Sequence, residues 1–257
     1  MPRSGSYLLL RSALVVLAAT FGAVRLVAEA AAGPPEQQVH QAFEVWAGAE
    51  VFHQVWSMYA GGTYAPFGSV RTDGFRVRAV AGYGAYSYTS RRWTGASTDV
   101  LEFHGTTSFA DMLAGYHKQL GPLTIKFLAG LTVADQNVDD PEADAGTQIG
   151  AKAVLETWWN ITDRAWTSVD LSWSTLHDIY GARARLGWRL WPALSLGVEG
   201  GATGSWDYDT ARVGGFVRYE WANGEASLSG GLAGDGPGSG WADVHGPFAT
   251  FNVLTRF

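Results

Sequence analysis

The chain has 257 residues, a net charge of −6, no cysteine, 33 glycines, 12 tryptophans and only 16% charged residues. The lack of cysteine excludes a disulfide framework and any thiolate metal site or nucleophile. The acidic balance leaves no footprint for nucleic acid. Glycine this frequent costs a helix roughly 1 kcal/mol per residue, so a largely helical mature protein is excluded as well.

At the N-terminus, Arg3 and Arg11 supply positive charge ahead of the apolar stretch Ala13 to Val24, and small residues dominate from Ala28 to Gly33. This is the pattern of a signal peptide over residues 1–32, with cleavage near Ala30 or Ala32. Arg25 leaves the apolar core too short for a retained anchor. Residues 33–42 read as a short periplasmic segment, and beyond them no run approaches the ~18 apolar residues of a membrane-spanning helix.

From Phe43 onward apolar and polar residues alternate with period two, the mark of strands with two unlike faces. The expected strands are Phe43–Phe52, Val55–Pro66, Gly74–Tyr88, Leu101–Lys118, Pro122–Ala134, Gln148–Trp159, Ala165–Thr175, Ile179–Trp191, Leu194–Thr203, Tyr208–Trp221, Glu225–Ala233 and Pro247–Phe257. The eighth is the clearest. Tyr180, Ala182, Ala184, Leu186, Trp188 and Leu190 share one face, while Gly181, Arg183, Arg185, Gly187 and Arg189 share the other. One apolar face and one small or charged face is what a strand between lipid and a polar lumen requires.

Loop lengths supply an independent test. With both termini in the periplasm, even-numbered strands should be followed by tight turns. Gln119-Leu120-Gly121, Asn160 to Arg164, Pro192-Ala193 and Ala222-Asn223-Gly224 fit, with Pro66 to Asp73 the longer exception. The longest connections, Ser90–Val100, Asp135–Thr147 and Gly234–Gly246, all follow odd-numbered strands, where outer loops belong. The fold class is therefore all-β, an up-and-down antiparallel barrel of about twelve strands in the outer membrane. Its lipid-side partners are membrane lipid and lipopolysaccharide. On the last strand, Phe251, Val253 and the terminal Phe257 share the lipid-compatible face, the pattern of a C-terminal signal read by the barrel-assembly machinery.

Four stretches carry a family resemblance: Trp46–Glu50, Tyr59–Tyr88, Met112–Leu131 and Tyr180–Trp221. Their glycine and aromatic spacing resembles the cellulose biosynthesis protein BcsS family, alphaproteobacterial outer-membrane β-barrels. The chain departs from the pattern at Val198, where the family often has a proline before the glutamate matching Glu199. The resemblance implies a part in making or exporting cellulose, with a glucan chain and cellulose-secretion proteins as partners.

Candidate working residues are the lumen-side charges Arg183, Arg185, Arg189, Glu199, Arg212, Arg218 and Glu220, on three consecutive strands. Such a set either lines a channel or plugs the lumen with mutually satisfied ion pairs. Trp158, Tyr86, Tyr88 and Phe216 fall on the inner face as scattered aromatics. The acidic stretch Asp135 to Asp144 reads as a solvated loop. Asp111 with His117, and His177 beside Asp178, are the pairs an enzyme would draw on. Neither has a serine at recognisable spacing, and neighbours on a strand point to opposite faces. No cofactor, metal site or enzymatic activity is expected. The alternatives are a small-solute porin unrelated to cellulose and an outer-membrane lipid hydrolase.

Overall fold

The computed structural model describes residues 41–52, 54–93, 95, 97–205, 209–235 and 244–257. The expected signal peptide, His40, His53 and most of the last outer loop lie outside the described residues.

Twelve strands form: β1 (Phe43–Phe52), β2 (Val55–Tyr64), β3 (Gly74–Trp93), β4 (Thr98–Leu120), β5 (Leu123–Val138), β6 (Gly146–Asn160), β7 (Ala165–Ser174), β8 (Tyr180–Trp191), β9 (Leu194–Gly204), β10 (Asp209–Trp221), β11 (Gly224–Asp235) and β12 (Val244–Arg256). Each pairs antiparallel with its neighbours in sequence, and β1 pairs with β12 to close the barrel. At that seam Glu44 lies opposite Arg256 and Ala49 opposite Phe251. Phe43 and Phe257 exchange both backbone hydrogen bonds, at 3.2 and 2.9 Å. Closure leaves no strand edge unpaired, which is the condition for backbone to sit in lipid.

The distribution of side chains inverts that of a water-soluble protein. Met112, Leu131, Val198, Val213 and Leu228 project outward and exposed, whereas Glu44, Arg78, Asp111, Glu199 and Arg218 are buried inside. At the end carrying the tight turns the exterior is ringed by exposed Phe43, Tyr64, Phe75, Tyr116, Trp159, Trp191, Tyr219 and Phe257. At the other end Tyr83 and Trp173 are exposed, with Trp56 packed against Tyr83 at 5.7 Å between ring centroids. An apolar belt between aromatic girdles is the exterior that a bilayer demands. The protein is an outer-membrane barrel.

Two expected outer loops are partly strand. β3 and β4 run 20 and 23 residues and stay paired as far as Trp93 opposite Thr98. β5 likewise continues to Val138 and pairs with Gly105 to Ser108. A tilted strand crosses the bilayer in about 9–11 residues, so these hairpins rise well above it. In water the ladder needs only backbone hydrogen bonds and both faces can be polar. The hydropathy alternation therefore stops where the lipid stops, while the strand goes on. Between β7 and β8, His177 and Asp178 both adopt positive φ, 50° and 49°. Asp and His tolerate this region better than most residues, and the pair makes a turn.

Candidate functional site in the barrel lumen

Strand alternation sends every second side chain inward, and three kinds meet there: rings, charges and glycines. Trp166 of β7 is fully buried and stacks on Trp158 of β6 at 4.0 Å, with Phe216 of β10 at 5.4 Å. Room for this cluster comes from Gly187 and Gly197, which face each other across β8 and β9. A Cβ at Gly187 would fall 2.3 Å from the Trp166 ring, and one at Gly197 would fall 2.6 Å from the Phe216 ring. The guanidinium of Arg218 lies 4.5 Å from the Trp158 centroid, and that of Arg185 lies 5.2 Å from Phe216. Cations over aromatic faces are favourable, more so when desolvated.

The charges form a chain of ion pairs. Arg78 pairs with Glu156. Lys126 stands 3.7 Å from Glu156 and 3.7 Å from Glu44. Arg256 lies 2.9 Å from Glu44 and 4.0 Å from Glu225. Arg218 closes the chain, 2.5 Å from Glu225 and 2.8 Å from Glu220. Its members come from β3, β6, β5, β1, β12, β11 and β10, and the Glu44–Lys126 link joins strands four places apart in the barrel. Burying these charges is tolerable only because each finds an opposite charge.

All seven candidate charges point inward. Within the set, Arg185 pairs with Glu199 at 2.9 Å and Arg218 with Glu220 at 2.8 Å. The others reach further. Arg183 pairs with Asp170 of β7 at 2.9 Å, and Arg212 pairs with Glu50 of β1. Arg189 donates to Asn160 Oδ1 at 2.7 Å and to the Asp163 carbonyl at 3.1 Å. Sequence reasoning missed Trp166, Glu44, Arg78, Lys126, Glu156, Glu225 and Arg256. The period-two signal that placed Arg183 inward places each of these inward too. What it lacks is any hint of the partner across the lumen.

Two cavities lie among these side chains. One of about 840 Å³ runs from the periplasmic end to mid-barrel, and one of about 370 Å³ lies beyond it toward the outer end. They share Tyr59, Val154, Glu156, Asp170, Ser172 and Arg183 as lining. Tyr59 donates its hydroxyl to Asn252 Oδ1 at the junction. Asp111 and His117 sit six residues apart on the inner face of β4, about 20 Å along the strand. Asp111 binds Lys152 at 2.6 Å, so the two do not form an acid–base pair.

Outside the bilayer, Asp135, Asp139, Glu142 and Asp144 of the acidic stretch are exposed, as expected of a solvated loop, and Asp140 is the exception. Asp140 is only 3% exposed. It accepts hydrogen bonds from the Tyr88 hydroxyl and from Arg92, each at 2.7 Å. Arg92 also holds Glu142 at 2.5 Å, and Asp139 caps the His104 amide at 2.7 Å. The bond from Tyr88, supported by the Glu142 amide and Arg92, holds the Asp140 carboxyl below its usual range.

With this geometry in hand, comparison with known proteins adds a family. The cellulose biosynthesis protein BcsS family matches residues 44–257. No individually curated protein matches the chain in sequence. Among solved structures, the KdgM porin is similar at 10% identity and a TM-score of 0.45, covering 83% of this chain and 99% of the porin. The outer membrane protein Omp33 of Acinetobacter baumannii is similar at 16% identity and a TM-score of 0.39, covering 86% and 100%. The COG4313 outer membrane channel from Pseudomonas putida F1 is similar at 11% identity and a TM-score of 0.42, covering 87% and 100%.

Proposed function

The chain belongs to the cellulose biosynthesis protein BcsS family, and from that membership we propose that it serves cellulose export as a non-enzymatic outer-membrane accessory of the secretion assembly, its lumen braced against free passage. The ion-pair chain that crosses from β3 and β6 through Lys126 and Glu44 to β10 carries this reading. A sliding neutral glucan wants open aromatic faces, but Trp158 is packed by Trp166 and Arg218, and Phe216 by Trp166 and Arg185. Lipid and lipopolysaccharide surround the belt, the barrel-assembly machinery reads Phe251, Val253 and Phe257, and secretion proteins dock at the periplasmic turns.

Deletion of the gene under cellulose-producing conditions is the test, with surface cellulose reduced as the expected result. Unchanged surface cellulose overturns the proposal. A glucan conduit is the second reading, favoured by the two abutting cavities. Steady conductance of the purified barrel in a planar bilayer, blocked by cello-oligosaccharides, would replace the accessory role with that one.

A further inference from the structure

We propose that the larger cavity is a lidded binding site, reached from the periplasm, for a short run of a neutral, hydroxyl-rich sugar chain. The choice of sugar rests on the cellulose reading above, whereas the lid stands on geometry alone.

At about 840 Å³ the cavity lies within the ~300–1,000 Å³ typical of small-molecule sites. Four lining side chains hold polar atoms with no hydrogen-bond partner: Asp111 Oδ1, both ring nitrogens of His117, Asn252 Nδ2, and Nε and Nη1 of Arg218, whose Nη1 is nonetheless ion-paired with Glu220. Asp111 and His117 are 5% and 4% exposed. Buried polar groups rarely stay unpaired, because an unmade hydrogen bond forfeits the hydration given up on folding. The unsatisfied set mixes an acceptor (Asp111), donors (Asn252 and Arg218) and an imidazole that offers both. Sugar hydroxyls both donate and accept, so they match such a set. A carboxylate or phosphate would meet the Asp111 acceptor, and its natural counter-ions are already engaged with Glu156, Glu44 and Glu225.

Access is governed by residues 65–73, between β2 and β3, at an end where the other strand connections span two to four residues. Val70 and Arg71 line the cavity. Val70 is 5% exposed, and its amide donates to the Gln41 carbonyl at 2.7 Å. Arg71 reaches the Ala222 carbonyl at 3.1 Å. Ala222 lies in the β10–β11 turn, with β1, β12 and β11 intervening, so the segment lies over part of the mouth. Gln41 braces the latch, accepting from Arg71 at 2.8 Å and donating to Asn223 at 2.8 Å. The two Arg71 bonds are solvent-exposed and carry no carboxylate, while the buried Arg76 guanidinium holds the Ser69 and Thr72 carbonyls on the β3 side, so the segment can lift at its Arg71 edge with that grip kept.

The full-length barrel, refolded in detergent, tests both parts. Because the chain has no cysteine, Ser168→Cys gives a single thiol at a cavity-lining position. Its labelling by a hydrophilic maleimide should quicken about tenfold when Arg71→Ala removes a charged hydrogen bond. It should also quicken when a two-residue turn replaces residues 66–72. Equal rates in all three backgrounds overturn the lid. Cellotetraose should perturb tryptophan emission saturably, since Trp46 and Trp158 line the cavity. Asn252→Leu and His117→Phe should each weaken binding about tenfold or more, with folding of both checked by heat-modifiable gel mobility. Absence of saturable binding, or binding indifferent to both variants, overturns the site. Tighter binding of an acidic oligosaccharide of equal length overturns the neutral class. If these fail while gene deletion still lowers surface cellulose, the accessory role stands without this site.

Discussion

Replacing Glu199 by glutamine should cost more than replacing any other lumen carboxylate that shares its cations. Glu199 is 2% exposed and accepts from Arg185 Nε at 2.9 Å and from the Ser229 hydroxyl at 2.9 Å. Among the described residues Arg185 has no second carboxylate at ion-pair distance, only Ser229 at 3.4 Å and the Phe216 face at 5.2 Å. Glu199→Gln therefore leaves a buried guanidinium uncompensated, a loss of about 3–5 kcal/mol. Glu44→Gln provides the internal control. Arg256 would keep Glu225 at 4.0 Å and Lys126 would keep Glu156 at 3.7 Å, so the cost falls to about 1.5–3 kcal/mol, the worth of a charged hydrogen bond. Removing both charges, as Glu199→Leu with Arg185→Met, should recover most of the loss, since an apolar replacement of a buried pair is often neutral. Equilibrium unfolding in guanidinium, followed by tryptophan emission from barrels in lipid vesicles, reads all four proteins. A Glu199→Gln loss below about 1 kcal/mol, the level of an exposed pair, would refute the reasoning. So would a double variant no more stable than the single.

Three further outcomes are expected. Phe257→Ala keeps the backbone bonds to Phe43, so stability after refolding should change little while the assembled outer-membrane fraction in cells falls several-fold; an unchanged fraction on heat-modifiable gels counts against the C-terminal signal. Gly187→Val puts a Cβ 2.3 Å from the Trp166 ring and should destabilise by about 1–3 kcal/mol, with loss of the circular-dichroism couplet of the stacked Trp158 and Trp166. The Asp140 carboxyl is held low, so its contribution to tethering the outer segment is complete above the ordinary Asp value of ~3.9 and is lost only as pH falls through its own lower value. A carboxyl carbon resonance titrating at or above ~3.9 would contradict this.

Alternation is a property of one strand at a time. For that reason the inward placement of Arg183, Arg185, Glu199 and Arg218, the outward placement of Leu186 and Val198, and the strand count were legible from residue order. The turn lengths added closure, and the likeness over Tyr59–Tyr88 and Tyr180–Trp221 added the family. Strand ends above the bilayer were not legible. Trp93 and Thr98 still pair there after the solvent that enforces two unlike faces has gone.

Nor could residue order pair Lys126 with Glu44, Arg212 with Glu50 or Trp166 with Phe216, which meet from strands several places apart around the barrel. Those meetings are fixed by the stagger and curvature of the closed sheet, which set the height of each inward side chain and the side chain it faces across the lumen. The sequence by itself determined a twelve-strand barrel with charges inside. Which of those charges pair across the lumen was decided only by the tertiary structure, because ion pairing needs distances of a few ångströms between residues that the chain order leaves up to 212 positions apart, as in Glu44 and Arg256.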